Sequence, residues 1–286
     1  LIHIFWKKSD ASKGLVAANG THVSRERVNW MDRGVPEDFA MTEAEWLACT
    51  DPQKMLEFLN ESGNLSDRKQ RLFDCACVRR TWHLLRDEKA RSAVEIAERF
   101  ADGLVTLDEL RETQAAVLAA AHAKATEAAL AAAQGNTTPV LPGTPDSYDV
   151  LAAAAGTAWE YRSGADPLRH AAQAIAWEGL LTNGPSERRT AKERLLEERK
   201  FQAGLLRDIV GIPSRAMRAL DHPWVTDKAR MLGQRIYDNT AFDRLPELAD
   251  TLTQARCDDA KLLSHCWLPG PHVRGCWVVD LVLGKE

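Results

Sequence analysis

The sequence predicts an all-α fold, a multi-helix bundle of two helical halves behind an irregular N-terminal tail. Three observations carry this expectation. From Met41 onward the chain is punctuated by helix caps, apolar residues recur every three or four positions between them, and no segment alternates as a half-buried strand would. Even the apolar run WVVDLVL near the C-terminus has helical spacing beside its β-branched bias. No repeat of fixed period is present, which weighs against a solenoid.

Residues 1–40 show no sustained pattern and are broken by Gly20, Gly34 and Pro36, so they read as the irregular tail. The chain opens on Leu1, whereas Met41 opens the first segment that reads as structured, which makes Met41 a candidate translation start. The competing expectation is a native tail packed through Trp6 or Trp30. Thr42 with Glu45 forms a capping box for a short helix through Cys49, and Asp51 followed by Pro52 opens the next. Ser66 starts a helix on which Leu72, Cys75, Val78, Trp82 and Leu85 make one buried stripe. Asp87 caps another, with Ala90, Val94, Ala97 and Ala101 on one face and Gly103 at its end. Thr106 and Glu109 open an alanine-rich helix to about Gln134, whose small side chains permit close neighbours or a solvent-bridging helix.

Residues 135–147, GNTTPVLPGTPDS, hold three prolines and two glycines and are the predicted linker between halves at 41–134 and 148–286. In the second half, helices are expected near 147–163, 167–182, 186–210, 224–239, 244–256, 258–267 and 272–283. The run SERRTAKERLLEERK mixes both signs at helical spacing, as a solvated face does.

Composition narrows the function classes. The 286 residues are 45% hydrophobic and 27% charged, enough for a sizeable core. With 37 Lys+Arg against 41 Asp+Glu the net charge is -4, so there is no basic excess to hold a nucleic-acid backbone or an anionic membrane. No apolar run reaches the roughly eighteen residues of a membrane span, and the stretch before Lys7 and Lys8 is too short for a signal-peptide core. The expectation is a cytoplasmic protein with a protein partner. Six cysteines in a chain of this size read as free thiols, and Cys75 and Cys77 on one helix point about 200° apart.

The most specific chemistry lies near the C-terminus. Cys266, His272 and Cys276, with Cys257 or His265 as a fourth ligand, offer the thiolates and imidazoles that suit tetrahedral zinc. His272 and Cys276 lie four apart and share a face if the segment is helical. No C-x-x-C knuckle accompanies them, and the plainer expectation is that Cys266 and Cys276 pack as small core residues beside Trp267 and Trp277. Asp280 stands in an apolar run and needs a partner, for which Arg274, Arg79 and Arg80 are the candidates; a catalytic carboxylate is the alternative. Arg79 and Arg80, with Trp82 and His83, form a candidate anion-binding or partner-binding group, unless they make ordinary interhelical ion pairs. Nucleophile elbows, Walker loops, dinucleotide fingerprints and H-E-x-x-H are all missing. A Cys276–His272 nucleophile pair would lack an orienting third residue and an oxyanion hole. Nine tryptophans against three tyrosines supply large anchors for a core or an interface.

The segments MTEAEWLACTDPQKMLEFL, SDRKQRLFDCACVRRTWHLL, AVEIAERFADG, AFDRLPELADTL and LLSHCWLPGPHVRGCWVVDLVLGKE closely resemble a family of uncharacterised proteins common in planctomycete bacteria. The resemblance spans most of Met41–Glu286 and implies no known activity. It implies a start at the equivalent of Met41 and a variable alanine-rich middle. Two departures stand out. Val78 follows Cys77 where the family pattern looks like a paired cysteine before Arg-Arg, and Ile212 and Ser214 stand where Asn and Phe are expected. The first weakens any metal role for the cysteine helix. Because the ends carry the strongest motifs, the N- and C-terminal helices are expected to pack together and bring Arg79 and Arg80 near 272–280. The functional expectation is a helical interaction or scaffold module. The alternatives are a metal- or anion-binding regulator using the C-terminal cluster, and a Cys-dependent enzyme.

Overall fold

The fold was described from a computed structural model, which describes residues 41–134, 144, 147–158, 167–182, 190–213 and 222–285. The expected tail at 1–40 and most of the expected linker lie outside the described residues. Among the described residues there are twelve α-helices, one short 3-10 turn at Phe242–Arg244 and no strand. No described helix is long and apolar enough to cross a membrane.

In chain order the helices are α1 (Glu43–Ala48), α2 (Pro52–Glu61), α3 (Asp67–Arg79), α4 (Glu88–Ala101), α5 (Leu107–Ala133) and α6 (Tyr148–Thr157). They continue with α7 (Pro167–Thr182), α8 (Ala191–Val210), α9 (Asp227–Asp238), α10 (Leu245–Gln254), α11 (Ala260–Trp267) and α12 (Trp277–Leu283). The N-terminal signals act as their chemistry dictates. Thr42 and Glu45 cap each other's backbone at α1, Asp51, Ser66 and Asp87 accept from the first turns of α2, α3 and α4, and Thr106 and Glu109 cap α5 reciprocally. Thr190 with Glu193 is a further capping box, so α8 begins at Ala191 rather than at 186.

The buried hydrophobics form two clusters. The first is built by α1 to α8 around Trp46, Phe73, Leu85, Leu151 and Leu206; the second by α9 to α12 around Tyr237, Leu248, Leu262 and Val279. The core therefore divides between Ile209 and Trp224, whereas the sequence places the division at 135–147. The reason is α6. Its side chains from Val150 to Ala155 are all buried, and it packs against α3, α4, α5 and α7, so the element after the linker sits inside the first cluster. Alanine makes this possible, because a helix with almost no side-chain volume can be surrounded at close range. Helix α5 uses its alanines differently: Leu110, Val117 and Ala121 are buried along one stripe, while Leu130 toward its end is exposed.

The two clusters are joined by a buried ionic seam. Arg68 of α3 donates to both oxygens of Asp280 in α12, at 2.6 and 3.1 Å, to Asp102 at 3.1 Å and to the Tyr237 hydroxyl at 2.8 Å. Tyr237 in turn donates to Asp102, which also receives Arg274 and Lys285 at 3.3 Å each. Asp280 thus has the partner its apolar neighbours demand, but that partner is Arg68, not Arg274, Arg79 or Arg80. Burial raises the Asp280 carboxyl above its ordinary range despite Arg68. Asp102 is pushed up by burial too, yet Tyr237, Arg68 and Lys285 together leave it below the usual carboxylate range. Removing one member of such a pair strands a buried charge. Arg68→Met is expected to lower stability by about 3–5 kcal/mol in urea unfolding.

Candidate metal centre

The site is assembled at the last turn of α8. That helix ends at Gly211, whose φ of 71° lies where a side chain is strained and whose absent Cβ would sit 3.0 Å from the Trp277 ring. Three side chains hold this turn. The Trp46 indole N–H donates to the Gly211 carbonyl at 2.9 Å, Lys69 Nζ to the Ile209 carbonyl at 3.0 Å, and Arg207 to the carbonyls of Trp46 and Cys49. Asp208 is thereby fixed with its carboxylate turned into the protein, 3% exposed.

Three donors from other elements converge on it. His272 Nδ1 lies 2.7 Å and His265 Nε2 3.1 Å from Asp208 Oδ1, and the Val273 backbone N–H donates to Oδ2 at 2.9 Å. The same His265 Nε2 lies 3.3 Å from Cys276 Sγ. One donor atom from each of Asp208, His265, His272 and Cys276 falls within 4.8 Å of the other three. Around a tetrahedral zinc ion with bonds of about 2.0–2.3 Å, donor atoms stand roughly 3.3–3.8 Å apart, so closing on an ion asks for shifts of about 1 Å or less.

Burial and the Asp208 charge set the electrostatics of the cluster. Burial pushes the Asp208 carboxyl up, but hydrogen bonds and charge from His265 and His272 prevail and hold it below the usual carboxylate range. Burial pulls His272 down, yet Asp208 and the Leu268 carbonyl leave it above the ordinary imidazole value. The Cys276 thiol is pushed well above the usual range by burial and then by the Asp208 charge, against which the backbone N–H groups of Val278 and Val279 act. A divalent ion would reverse that balance and favour the thiolate. His272 also carries the outer contact common in metal-bound imidazoles: Nε2 lies 3.2 Å from the Leu268 carbonyl, leaving Nδ1 to face the cluster.

Catalysis by a Cys–His–Asp relay would need opposite nitrogens of one imidazole facing thiol and carboxylate. Here one nitrogen of His265 faces both, which is convergence on a point rather than a relay.

Of the expected set Cys266, His272, Cys276 and Cys257, the structure brings together His272 and Cys276. Cys266 and Cys257 are buried in the second core and stand outside the four-residue group. Cys266 lies near enough to feel the Asp208 charge, but its sulfur stands outside the group that its neighbour His265 joins. Burial raises the Cys266 thiol to about 12. His272 and Cys276 do meet, though not on one helix: α12 begins at Trp277, Cys276 is its N-cap, and the preceding Gly275 has φ 93°. A Cβ there would lie 2.9 Å from Leu72, so the chain turns tightly enough to bring Cys276 back toward His265. Asp208 is the member of the cluster that the sequence reading misses. Its signal is the same one that singles out Asp280, an acid among apolar residues (Leu205, Leu206, Ile209, Val210), but Arg207 beside it suggests a local pair.

The arginines are committed elsewhere. Arg79 forks onto Glu98 at 2.5 and 2.8 Å and stacks on Trp82; Arg80 pairs with Glu198 at 2.9 Å and lies over Phe201. His83 meets Glu178 at 2.7 Å, and Arg274 joins Asp102 and the Tyr237 ring. The candidate anion-binding group is therefore a set of interhelical ion pairs. Arg274 Nε comes within 4.0 Å of Glu98, so Arg79 and the C-terminal segment do share a neighbour, while Arg80 turns toward α8.

Gly211→Ala is expected to cost about 1–3 kcal/mol in urea unfolding, from the strained φ and the Trp277 ring. Gly204→Ala, in the same helix with its nearest neighbour at 3.5 Å, is expected to stabilise by roughly 0.5–1 kcal/mol. Comparison with known proteins finds no matching family model, no matching curated protein and no matching solved structure.

Proposed function

We propose that this chain is a metal-binding helical protein, in which Asp208, His265, His272 and Cys276 hold one zinc-class divalent ion. The observation that carries the proposal is the convergence of four donor atoms from α8, α11, the connection after it and the N-cap of α12, each within 4.8 Å of the others. Two imidazoles, a carboxylate and a thiolate form a set matched to borderline metals such as zinc and cobalt rather than to calcium or magnesium. With the carboxylate and thiol buried and four protein ligands at hand, the role is structural: the ion fastens α11 and α12 to α8. Six free thiols suit a reducing compartment such as the cytoplasm. The scaffold expectation has weaker support, an apolar cleft of about 450 Å³ bordered by the exposed Leu47 and Leu268 with Trp277, and no described feature specifies a protein as its occupant.

Protein purified without chelators should carry about one equivalent of zinc per chain, and Cys276→Ser should carry far less. Less than about a tenth of an equivalent in the wild type, with none taken up on titration, would refute the reading. Cobalt substitution should add a thiolate-to-metal charge-transfer band that Cys276→Ser removes.

The pH dependence should change sign with the metal. Without metal, the raised His272 contributes stability below its ordinary value near 6.5 that is lost as pH rises through its folded value. The depressed Asp208 contributes stability above its ordinary value near 3.8 that is lost as pH falls through its folded value. The metal-free protein should therefore melt highest in mildly acidic solution and lose stability toward neutrality. The zinc form should gain stability over the same rise, because His272 and Cys276 must release protons to bind. Parallel thermal melts of the two forms from acid to neutral pH check this.

A further inference from the structure

The cleft of about 450 Å³ between α1 and α11 meets the metal cluster through one side chain, His265, which stands in its lining. His265 is the most exposed member of the cluster, at 19% against 12% for His272 and 3% for Asp208, while Cys276 is buried. Its Nε2 faces Asp208 and Cys276, whereas its Nδ1 is open to solvent and has no partner among the described residues. His272 differs, since its outer nitrogen meets the Leu268 carbonyl. A metal-bound imidazole gives its outer N–H to a carboxylate, a carbonyl or water, and the described residues supply His265 with neither of the first two. Arg207 lines the same cleft, half-buried. Its Nε and one Nη hold the carbonyls of Trp46 and Cys49, its other Nη is open, and no described carboxylate pairs with it. Burial pulls the guanidinium below its ordinary value, as it does a charge without a counter-ion. The one acid of the lining, Glu43, is paired with Lys261. Leu47, Val210, Leu268 and Trp277 supply the apolar wall.

We propose that this cleft binds a small carboxylate with an apolar body, which accepts from Arg207 and from His265 Nδ1 while its body lies against Leu47, Leu268 and Trp277. Its coupling to the ion rests on the metal reading above and follows from the imidazole tautomer. Without an ion, a neutral His265 that donates to Asp208 carries its proton on Nε2, and Nδ1 presents a lone pair that repels a carboxylate. With an ion on Nε2, the proton of the neutral ring is on Nδ1, which becomes a donor. Ion and carboxylate therefore tighten each other's binding by the same factor. Amines meet the Arg207 charge, and neutral apolar molecules leave both donors unanswered.

The probe is 4-phenylbutanoate, with 4-phenylbutan-1-ol and 4-phenylbutylamine as its neutral and cationic counterparts. Calorimetric titration of the zinc-loaded full chain should give saturable binding of 4-phenylbutanoate at one site per molecule, and both counterparts should bind about tenfold more weakly or worse. Removing the zinc should weaken the carboxylate about tenfold and leave the alcohol unchanged. Leu47→Glu and Ser264→Phe, at exposed positions of the lining, should each weaken the carboxylate about tenfold, the first by repulsion and the second by filling the cleft. Circular dichroism confirms that each variant is folded. Binding that is not saturable, equal affinity for acid and alcohol, or affinity that both folded variants retain unchanged would overturn the proposal. Equal carboxylate affinity with and without zinc would overturn the contact to His265. A chain that takes up no zinc refutes the metal reading alone: carboxylate binding that Leu47→Glu weakens would still support the cleft, and its absence would overturn it.

Discussion

The carboxylate of Asp208 is the point on which the C-terminal part of this protein is organised. A charge taken out of water must be repaid by partners, and the sealed position of Asp208 leaves it three: two imidazoles and a backbone N–H. The chain that supplies them also packs on α8, with Pro271 beside Gly204 and the Trp277 ring against Gly211. The connection between α11 and α12 has almost no regular structure of its own, so its path is set by where His272 and Val273 must go. Cys276 follows because the Gly275 turn permits one route past Leu72. The metal proposal is an extension of the same electrostatics, with an ion taking the place of the protons that now hold the cluster together.

The seam between the two hydrophobic clusters repeats the pattern one turn further along α12. Arg68, Asp102, Tyr237, Asp280, Arg274 and Lys285 join helices far apart in sequence through charge rather than apolar contact. Apolar packing is tolerant of rotation and slip, whereas a forked guanidinium on a carboxylate accepts one arrangement. With one polar anchor at its N-cap and another a turn later, α12 is held in register. A seven-residue helix has little intrinsic stability, and these anchors supply what helix propensity does not.

The helix starts were legible because capping is local. Thr42–Glu45, Asp51–Pro52, Ser66, Asp87 and Thr106–Glu109 each need only four or five consecutive residues to satisfy their backbone donors, and each does so where the sequence places it. The need of Asp280 for a cation was legible in the same way, from its apolar neighbours. The identity of that cation was not, since Arg68 is 212 positions away and nothing in its own surroundings distinguishes it from Arg79 or Arg80. The cysteines mislead for a related reason. Spacing suggests that Cys266 joins the cluster, but its neighbour His265 takes that place.

What the sequence determined by itself is the set of helices and the kinds of contact their side chains require: which faces are apolar, which ends are capped, which acids stand where water is excluded. These follow from forces acting within a turn or two of chain. Tertiary structure alone decided which distant groups answer those requirements. It put α6 inside the first cluster, drew Arg68 to Asp280, and brought Asp208 to the histidines and Cys276. The physical reason is that a buried charge specifies the sign and geometry of its partner but not its address, and the address is settled only when helices of low side-chain volume pack closely enough for one residue among many to arrive.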